Sequence, residues 1–371
     1  MDYKSHQTAL ILPQFKLETM STNNHQHHLH IVSAKTWGGG ESYVFNLAKH
    51  AIANGDSITI ITDSRYPQIA QRFSDITQPI EIPLSFGLTI PNILKIHRIL
   101  KSSQISTINY HSGKVALLSV LVSILSKVPC VFFKHNISLG KNDFYHNFLM
   151  RHLAGVICVS NTVKDAVIRG IPKMYAPKVH LVYTGISLPE NTQKNEASNR
   201  IRIGYAGRIV QNKGVEVLLQ ACQQLSEDVD LFVAGNCNSV YGKELQSKYA
   251  EPHIHFIGEQ TDLSHFYQSI EIFVAPSIVP EAFGLAICEA MSYGLPVITT
   301  TSGAQSELIQ NGVDGLLICP NNVEELKENL QKLAQDKNLR NSMGRNAKQR
   351  VESTFTIDHF YSKLTRIYHS L

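Results

Sequence analysis

Short apolar runs alternate with amphipathic stretches along most of the chain. The apolar runs, among them HLHIV, SITIITD, VPCVFF and AGVICV, are rich in β-branched residues and are followed by glycine or polar residues. Such runs are typical of strands in a parallel sheet that is covered on both faces. The stretches between them, such as SYVFNLAKHAIA, repeat their apolar residues at helical spacing. The pattern therefore predicts an α/β fold in which strands and helices alternate.

The chain divides into two such series. A polar, aperiodic segment with a proline, LPENTQKNEASNR, separates them, and we interpret residues 191–200 as a linker between domains at 29–190 and 201–355. A length of 371 residues is enough for two hydrophobic cores. Residues 356–371 have the pattern of one more amphipathic helix. Residues 1–28 lack a period, and we expect a poorly ordered tail there, although its histidine-rich end could alternatively bind a metal.

The stretch from Val279 to Ser292 carries the strongest chemical signal. It follows the apolar run IEIFVAPS, with Glu281 on a predicted loop and Glu289 on a predicted helix. Ligands bind at such loops because they lie at the carboxyl ends of parallel strands. Gly284 allows close backbone approach and a helix start offers N–H groups to a diphosphate, whereas carboxylates suit the paired hydroxyls of ribose and a hexose. The stretch therefore indicates a nucleotide-sugar site, with two unrelated surface acids as the alternative.

Two cations and a further turn extend this site. Arg208 follows the strand IRIGYAG, and Lys213 precedes the next helix. Cations at a helix start neutralise the charge that develops on a diphosphate leaving group, although solvated surface cations are the alternative. Gly303 and Glu307 follow the strand PVITTT. We expect this turn and acid to form one site with the two glutamates described above.

Polar residues also follow the predicted strands of the first domain. Gly39 and Gly40 belong to the loop WGGGE between a strand and a helix, and His111 and His135 follow two later strands. Repeated polar strand ends are how an α/β sheet lines a cleft. The glycine run gives part of a dinucleotide-binding fingerprint, and ordinary turn glycines are an equal alternative.

Charge is unevenly distributed along the chain. Residues 1–190 carry 18 Lys and Arg against 10 Asp and Glu, a net +8, whereas residues 191–371 carry 16 against 20, a net −4. A basic first half suits an anionic membrane face or a phosphate-bearing acceptor, with a solvated surface as the alternative. No apolar run reaches the roughly 20 residues that span a bilayer, no signal peptide is visible, and the six cysteines lack pair spacing. We expect a cytoplasmic protein with a peripheral contact to the cytoplasmic face of the membrane.

Three stretches resemble glycosyltransferase family 4. They are GRIVQNKGVEVLLQA, the long segment that contains VPEAFGLAICEAMSYGLPVITTT, and GRNAKQRVESTFT. The resemblance extends over residues 29–371 and is strongest over 201–355, while GGGES and KHN match in the first domain. It implies the GT-B architecture, in which two Rossmann-like domains face a central cleft and the C-terminal helix crosses back to the first domain. It also implies that the first domain binds the acceptor and the second the nucleotide-sugar donor.

The resemblance implies roles for the matching residues. Arg208 and Lys213 would bind the donor diphosphate and activate it as the leaving group. Glu281 would contact the donor sugar, His135 would lie near the transferred sugar, and Glu289 would bind the ribose. The remaining contacts to sugar and diphosphate would come from the backbone at Gly39, Gly40, Phe283, Gly284 and Leu285.

The resemblance further implies hexosyl transfer with retention of configuration, from a UDP-sugar in preference to a GDP- or ADP-sugar. The acceptor would be a glycan or a lipid-linked glycan, usually in bacterial polysaccharide or lipopolysaccharide synthesis, and no nucleic acid would be bound. In the favoured mechanism the departing phosphate takes the acceptor proton, so no general base is assigned. Because no Asp-x-Asp motif lies beside the predicted donor site, neither a metal nor another cofactor is expected.

One departure from the family pattern stands out, and other functions remain open. Thr184-Gly185 stands where the family often has Asn-Gly, which affects the turn or the acceptor side. A catalytically silent GT-B partner subunit would bind or stabilise an active transferase, but such proteins usually lose donor residues that this chain keeps. A sugar-nucleotide epimerase or hydrolase on the same fold is a further alternative. An NAD dehydrogenase is disfavoured because its glycine fingerprint is incomplete.

Overall fold

Two parallel sheets organise the part of the chain that the computed structural model describes, residues 25–84, 90–193, 200–225 and 229–371. The first sheet has the strand order β3-β2-β1-β4-β5-β6-β7. Its strands are β1 (His27–Val32), β2 (Ser57–Asp63), β3 (Ile80–Ile82), β4 (Thr107–Tyr110), β5 (Cys130–Lys134), β6 (Gly155–Cys158) and β7 (Val179–Leu181). The helices of this domain are α1 (Gly39–Ala53), α2 (Pro67–Phe73), α3 (Ile90–Ser102), α4 (Ala116–Ser126), α5 (Phe144–His152) and α6 (Asn161–Gly170).

The second sheet has the order β10-β9-β8-β11-β12-β13. Its strands are β8 (Ile201–Ala206), β9 (Val229–Ala234), β10 (Ile254–Gly258), β11 (Ile272–Ala275), β12 (Val297–Thr300) and β13 (Gly315–Ile318). The helices are α7 (Val215–Gln223), α8 (Val240–Lys248), α9 (Ser264–Ser269), α10 (Leu285–Ser292), α11 (Gln305–Leu308), α12 (Val323–Gln335), α13 (Lys337–Thr354) and, at the C-terminus, α14 (Ile357–His369).

Burial on both faces explains why most residues of the strands are apolar. Strand pairs in both sheets are parallel, for example β1 with β4 and β8 with β11. Parallel strands need crossover helices, and these helices cover both faces of the sheet. Ile108 in β4 and Val131 in β5 are accordingly fully buried. The predicted α/β fold with two Rossmann-like domains is therefore confirmed.

The strand orders fix where ligands can bind. In the first sheet β1 lies between β2 and β4, so consecutive connections leave β1 and β4 in opposite directions. In the second sheet β8 lies between β9 and β11 in the same way. The loops therefore separate at the carboxyl ends of these strand pairs and leave a crevice, which is where open α/β sheets bind ligands.

The C-terminal helix crosses back to the first domain, as predicted. Ile186 and Thr356 form a parallel bridge at the crossing, and a Cβ at Gly185 would lie 2.4 Å from the Thr356 carbonyl oxygen. Glycine is therefore required where the two segments meet. Farther along α14, the Tyr368 hydroxyl donates a 2.9 Å hydrogen bond to Asn109 in β4. Among the described residues, none of the helices combines the length and hydrophobicity needed to cross a bilayer.

The sequence misplaced several element boundaries. Strand β1 begins at His27, so the last two residues assigned to the tail belong to the first sheet, whereas residues 1–24 lie outside the described residues. Of the predicted linker, residues 194–199 also lie outside them. Helix α1 begins at Gly39, so two glycines of the predicted loop form its first turn. The short elements α2, of 7 residues, and β3, of 3 residues, were not predicted, because segments of this length carry no clear period.

The sequence pattern from about Val323 predicts one long amphipathic helix, but the structure has two helices there. Asp336 ends α12 in a non-helical conformation, with φ −109° and ψ 93°. Its side chain then accepts a 2.9 Å hydrogen bond from the Leu339 backbone N–H and so caps the start of α13. An aspartate that caps a helix competes with helix continuation, which explains the break.

Candidate active site

A cavity of about 410 Å³ lies between the two domains, at the carboxyl ends of both sheets. Its volume is in the range of small-molecule sites. Nine of the ten residues to which the family resemblance assigns a role line it, namely Gly39, Gly40, His135, Arg208, Lys213, Glu281, Phe283, Gly284 and Leu285. We refer to this space as the cleft cavity.

Glu281 is held rigidly by two side chains. The Lys213 Nζ lies 2.7 Å from Glu281 Oε2, and the Ser277 hydroxyl donates a hydrogen bond to Glu281 Oε1. Both carboxylate oxygens are therefore bonded before any ligand enters. Ser277 follows β11 and was not predicted; its place at a strand end, four residues before the glutamate, is the signal that could have identified it.

Two glycines allow the backbone of this site to close around the ion pair. A Cβ at Gly214 would lie 1.9 Å from the Pro276 carbonyl oxygen, and a Cβ at Gly303 would lie 2.6 Å from the Glu281 backbone nitrogen and oxygen. Both glycines have positive φ, +69° and +67°. The first brings the Lys213 turn against the end of β11, and the second pairs the β12 loop with Glu281. The predicted turn at Gly303 therefore positions the carboxylate through the backbone.

Two helix N-termini face the cleft cavity from opposite domains. Helix α1 begins at Gly39 and α10 begins at Leu285, and neither N-cap position makes a side-chain capping hydrogen bond. A Cβ at Gly39 would lie 3.7 Å from the Leu285 Cδ1, so the two helix starts almost touch. The unpaired N–H groups and the dipole of α10 give this space a positive potential, whereas at the start of α1 the Glu41 carboxyl accepts hydrogen bonds from the Gly38 and Glu41 backbone N–H groups. Such an arrangement favours an anion such as a diphosphate.

The side-chain charges reinforce this potential. Arg208 is exposed on the wall of the cavity, and within the described residues no carboxylate lies within ion-pair distance of its guanidinium. The Tyr205 hydroxyl donates to the Arg208 carbonyl oxygen over 2.9 Å and so fixes the loop. Because Lys213 and Glu281 offset one another, Arg208 leaves the described lining with a net positive charge. The cavity is thus prepared for an anionic ligand.

His135 lines the first-domain wall of the cleft cavity. It follows β5, and its Nε2 lies 2.9 Å from the Nδ1 of His111. Burial, and secondarily the charge of Lys134, lower the pKa of His135 to about 4, so the imidazole is neutral near pH 7. The edge of the Tyr43 ring packs on it with centroids 4.7 Å apart. Tyr43 also lines the cavity and was not predicted, because its position in α1 follows the ordinary helical pattern.

Glu289, the tenth residue to which the resemblance assigns a role, lies in an adjoining cavity of about 330 Å³. Its Oε2 accepts a 2.9 Å hydrogen bond from the Tyr267 hydroxyl. Burial raises the pKa of the Glu289 carboxyl, and the Tyr267 hydrogen bond opposes that rise. A third cavity of about 440 Å³ borders both of these: it shares Arg208 with the cleft cavity and Leu263 with the Glu289 cavity. The three cavities form a continuous groove along the second domain.

Glu307 does not join this site, contrary to the expectation from its sequence position. Its carboxylate accepts hydrogen bonds from the Asn161 and Thr162 backbone N–H groups, over 2.8 and 2.7 Å, at the N-terminus of α6. It also accepts a 3.0 Å bond from the Tyr183 hydroxyl. Burial and the Glu307 charge raise the pKa of Tyr183 to about 12, so the hydroxyl stays protonated as a donor. Glu307 therefore caps a helix of the opposite domain and ties the two domains together.

Within the described residues, no group of three or more His, Cys, Asp or Glu side chains is arranged to hold a metal ion. The histidines near the start of the chain instead pack in and beside the first sheet. His27 bonds to the Ser103 carbonyl and the Thr59 hydroxyl, and His28 lies 2.8 Å from the Thr107 hydroxyl. These side chains therefore have structural partners of their own.

Two family models match the chain, and together they span residues 37–350. The model for Glycosyltransferase Family 4 matches residues 37–189, and the model for Glycosyl transferases group 1 matches residues 189–350. The boundary between the two matches falls beside the segment that joins the two sheets. The family models thus divide the chain as the fold does.

Individual glycosyltransferases are also similar to this chain in sequence or in fold. The Staphylococcus aureus capsular polysaccharide biosynthesis glycosyltransferase CapM is 30% identical over 174 residues, which is 45% of this chain and 46% of that protein. A glycosyltransferase structure from Rickettsia africae superimposes with a TM-score of 0.80 at 23% identity, over 94% of this chain and 98% of the other.

Anabaena HepE, solved in complex with UDP and glucose, superimposes with a TM-score of 0.77 at 21% identity, over 94% of this chain and all of that chain. At this identity the structural likeness shows the fold alone. Fold, cleft and both family models converge on one assignment: the chain is a glycosyltransferase of group 1, family 4, with two Rossmann-like domains in the GT-B arrangement.

Proposed function

We propose that this glycosyltransferase moves a hexose from a nucleotide-diphosphate sugar, a UDP-sugar before a GDP- or ADP-sugar, to a glycan or lipid-linked acceptor with retention of configuration. The observation that carries the proposal is the ion pair of Lys213 and Glu281 beside two facing helix N-termini. The Glu281 carboxylate can accept hydrogen bonds from sugar hydroxyls, and it lies next to a site suited to an anion. A sugar joined to a diphosphate requires this combination.

The groove supports an orientation for the donor. The diphosphate would lie at the start of α10 with Arg208, and the Lys213 ammonium would move partly from Glu281 to the phosphate. Glu281 would then accept hydrogen bonds from the transferred sugar. The nucleoside would extend along the two adjoining cavities, where Glu289 is a suitable acceptor for ribose hydroxyls. UDP is the favoured nucleotide, supported by the UDP bound to HepE, whose likeness to this chain is one of fold.

The lining of the cleft cavity is consistent with retention without a covalent intermediate. Glu281 is the sole carboxylate among its described lining residues, and both of its oxygens are already bonded. We therefore assign it to orientation and charge stabilisation, and not to nucleophilic attack. The acceptor would attack the same face of the sugar that the phosphate leaves, and the departing phosphate oxygen would take the acceptor proton. Arg208 and the two helix starts would stabilise the charge on that phosphate.

The first domain supports a polysaccharide or lipid-linked acceptor at a membrane surface. Three strongly exposed apolar side chains, Leu139, Phe144 and Met174, lie beside Lys141 and Lys173 in the chain. Apolar tips with neighbouring cations suit an interface with anionic lipid. Replacement of Phe144 and Leu139 by serine should reduce co-sedimentation with anionic vesicles. Unchanged co-sedimentation would remove the membrane contact from the proposal. The capsular role of CapM is a further support for such an acceptor.

A screen of UDP-, GDP- and ADP-sugars by thermal shift would identify the donor. Products formed with that donor and candidate glycan acceptors would then be examined for the configuration at the new linkage. The proposal expects the same anomeric configuration in donor and product. An inverted linkage would contradict the mechanism, and an epimerised or merely hydrolysed donor would favour the epimerase or hydrolase alternative. A protein that binds no donor would instead be a silent partner subunit.

A further inference from the structure

Three histidines form a hydrogen-bonded chain that leads from the core of the first sheet to the cleft cavity. His30 lies in β1, His111 follows β4 and His135 follows β5, and these three strands are neighbours in the sheet. The Nδ1 of His30 lies 2.9 Å from the Nε2 of His111, and the Nδ1 of His111 lies 2.9 Å from the Nε2 of His135. Consecutive ring centroids are 5.2 Å apart, with interplanar angles of 16° and 21°.

The chain is made of neutral imidazoles. Burial lowers the pKa of His30 to about 3 and that of His135 to about 4, and it lowers the pKa of His111 well below its usual range. A neutral imidazole has one N–H donor and one acceptor nitrogen. Each of the two N···N contacts therefore needs one proton. Only two arrangements satisfy both contacts: all three rings carry the proton on Nδ1, or all three carry it on Nε2.

The buried end of the chain decides between these arrangements. His30 is 1% exposed, and none of the hydrogen bonds among the described residues involves its Nε2. With the proton on Nε2, His30 would therefore hold an N–H donor for which none of the described residues is an acceptor, and an unpaired N–H costs more than an acceptor left unbonded. With the proton on Nδ1, both bridging hydrogens are used. The final ring, His135, then carries an N–H at Nδ1, the nitrogen that no described residue engages.

We propose that His30 and His111 are positioning residues that hold His135 in its Nδ1–H tautomer, so that His135 donates a hydrogen bond to an oxygen of the sugar in the cleft cavity. The ligand part of this inference rests on the proposed function, whereas the tautomer is a property of the free protein. An isolated histidine side chain favours the Nε2–H tautomer, so the chain changes what His135 would present by itself. A donor at this point would bind a sugar hydroxyl and would not act as a base.

Nuclear magnetic resonance of the full chain with ¹⁵N-labelled histidine tests the tautomer without any ligand. The His135 signals are assigned by their loss in His135→Gln. We expect the His135 proton on Nδ1 in the native protein and on Nε2 in His111→Phe, which cannot donate to the His135 Nε2. His111→Gln should keep the native tautomer, because its amide NH₂ group can donate to the His135 Nε2 while its amide oxygen accepts from the His30 Nδ1–H. His146→Gln is the control, because this partly exposed histidine pairs with Asp143 and lies outside the histidine chain.

A His135 that carries its proton on Nε2 in the native protein would overturn the proposal, as would an unchanged tautomer in His111→Phe. If His111→Phe does not fold, His30→Phe and His30→Gln provide the same comparison one link farther away. Transfer kinetics test the consequence separately: kcat should fall about tenfold in His111→Phe and recover in His111→Gln, with little change in donor KM, since the proposed nucleotide contacts lie in the second domain. If the tautomer is confirmed but the protein transfers no sugar, the role of the three histidines stands and only the proposed reaction is contradicted.

Discussion

At the scale of single residues, a substitution in the Glu281–Lys213 pair should affect donor binding and sugar transfer differently. Glu281→Gln removes the charge that neutralises Lys213, so the ammonium becomes fully available to a diphosphate. We expect UDP to bind the variant as tightly as the native protein or more tightly, whereas UDP release from the donor sugar slows about 100-fold because charge stabilisation is lost. Calorimetry and a UDP-release assay measure the two effects. Loss of UDP affinity with an unchanged kcat would contradict the role assigned to Glu281.

The buried His30 makes the stability of the first domain depend on pH. Its pKa is about 3 in the folded protein, against 6.5 when exposed, so between these values the unfolded chain binds a proton that the folded chain does not. The contribution of His30 to the free energy of unfolding is therefore fully present above about pH 6.5 and decreases as pH falls toward 3. At pH 5 the loss from this one group is about 2 kcal/mol relative to pH 8.

The single tryptophan, Trp37, lies in the first domain and reports its unfolding. Urea unfolding followed by Trp37 fluorescence should show that His30→Gln has a smaller loss of stability between pH 8 and pH 5, by about 2 kcal/mol. His25→Gln serves as the control because that histidine of the first domain is exposed. An identical pH dependence in the native protein and His30→Gln would show that His30 is not the group that titrates.

The residues that touch the cleft cavity could be predicted because they belong to loops after strands. Glu281, Arg208 and His135 each follow a buried strand, and strand ends meet at one edge of a parallel sheet. Glu307 also follows a strand, yet it faces the other domain, since interdomain contacts leave no periodic signal. The place of Tyr43 in the cavity could not be predicted either, because a tyrosine on the buried face of a helix has the pattern of an ordinary core residue.

At the scale of elements, the loop from β12 must approach the Glu281 loop very closely. Gly303→Ala would place a Cβ 2.6 Å from the Glu281 backbone at a φ of +67°. Gly312 is a matched control, because its φ is +79° but a Cβ there meets nothing within 4 Å. Both alanines cost about 1 kcal/mol of backbone strain. Only Gly303→Ala should also displace Glu281 and abolish donor turnover; equal effects of the two substitutions on turnover would contradict this.

Element types were predictable where the apolar pattern was long, and boundaries were not. The strands of the second domain and the helix α10 follow directly from their apolar periods. The start of α1 was missed because glycine has a low helix propensity, and tertiary contacts override that preference at Gly39. The break between α12 and α13 was missed because a single aspartate can either continue a helix or cap the next one.

At the scale of the whole molecule, Glu307 holds the two domains in their present orientation. Glu307→Ala removes the hydrogen bonds to the N-terminus of α6 and to Tyr183, a contact of the capping type worth about 1–2 kcal/mol. The balance between closed and open arrangements should shift toward open by roughly tenfold. Small-angle scattering should record a larger radius of gyration for this variant than for Glu324→Ala, a surface control. Identical scattering curves would show that other contacts fix the orientation.

The two-domain architecture was accessible from the sequence because each domain repeats its own α/β pattern, and the segment between them is polar. The orientation of the domains was not accessible. It depends on contacts such as the crossing of Gly185 with Thr356 and the cap at α6, which join residues far apart in the chain. The shape of the groove therefore emerged only when both domains were seen together.

Calorimetric titration of UDP into the native protein and into Lys213→Ala tests the central claim most directly. The substitution removes a cation from the cleft cavity and leaves the Glu281 carboxylate without its ion partner, so two effects oppose an incoming diphosphate. The proposed donor site predicts saturable binding to the native protein and a loss of at least tenfold in affinity for Lys213→Ala. Equal affinity for both proteins would contradict the proposal that the cleft cavity holds the donor diphosphate.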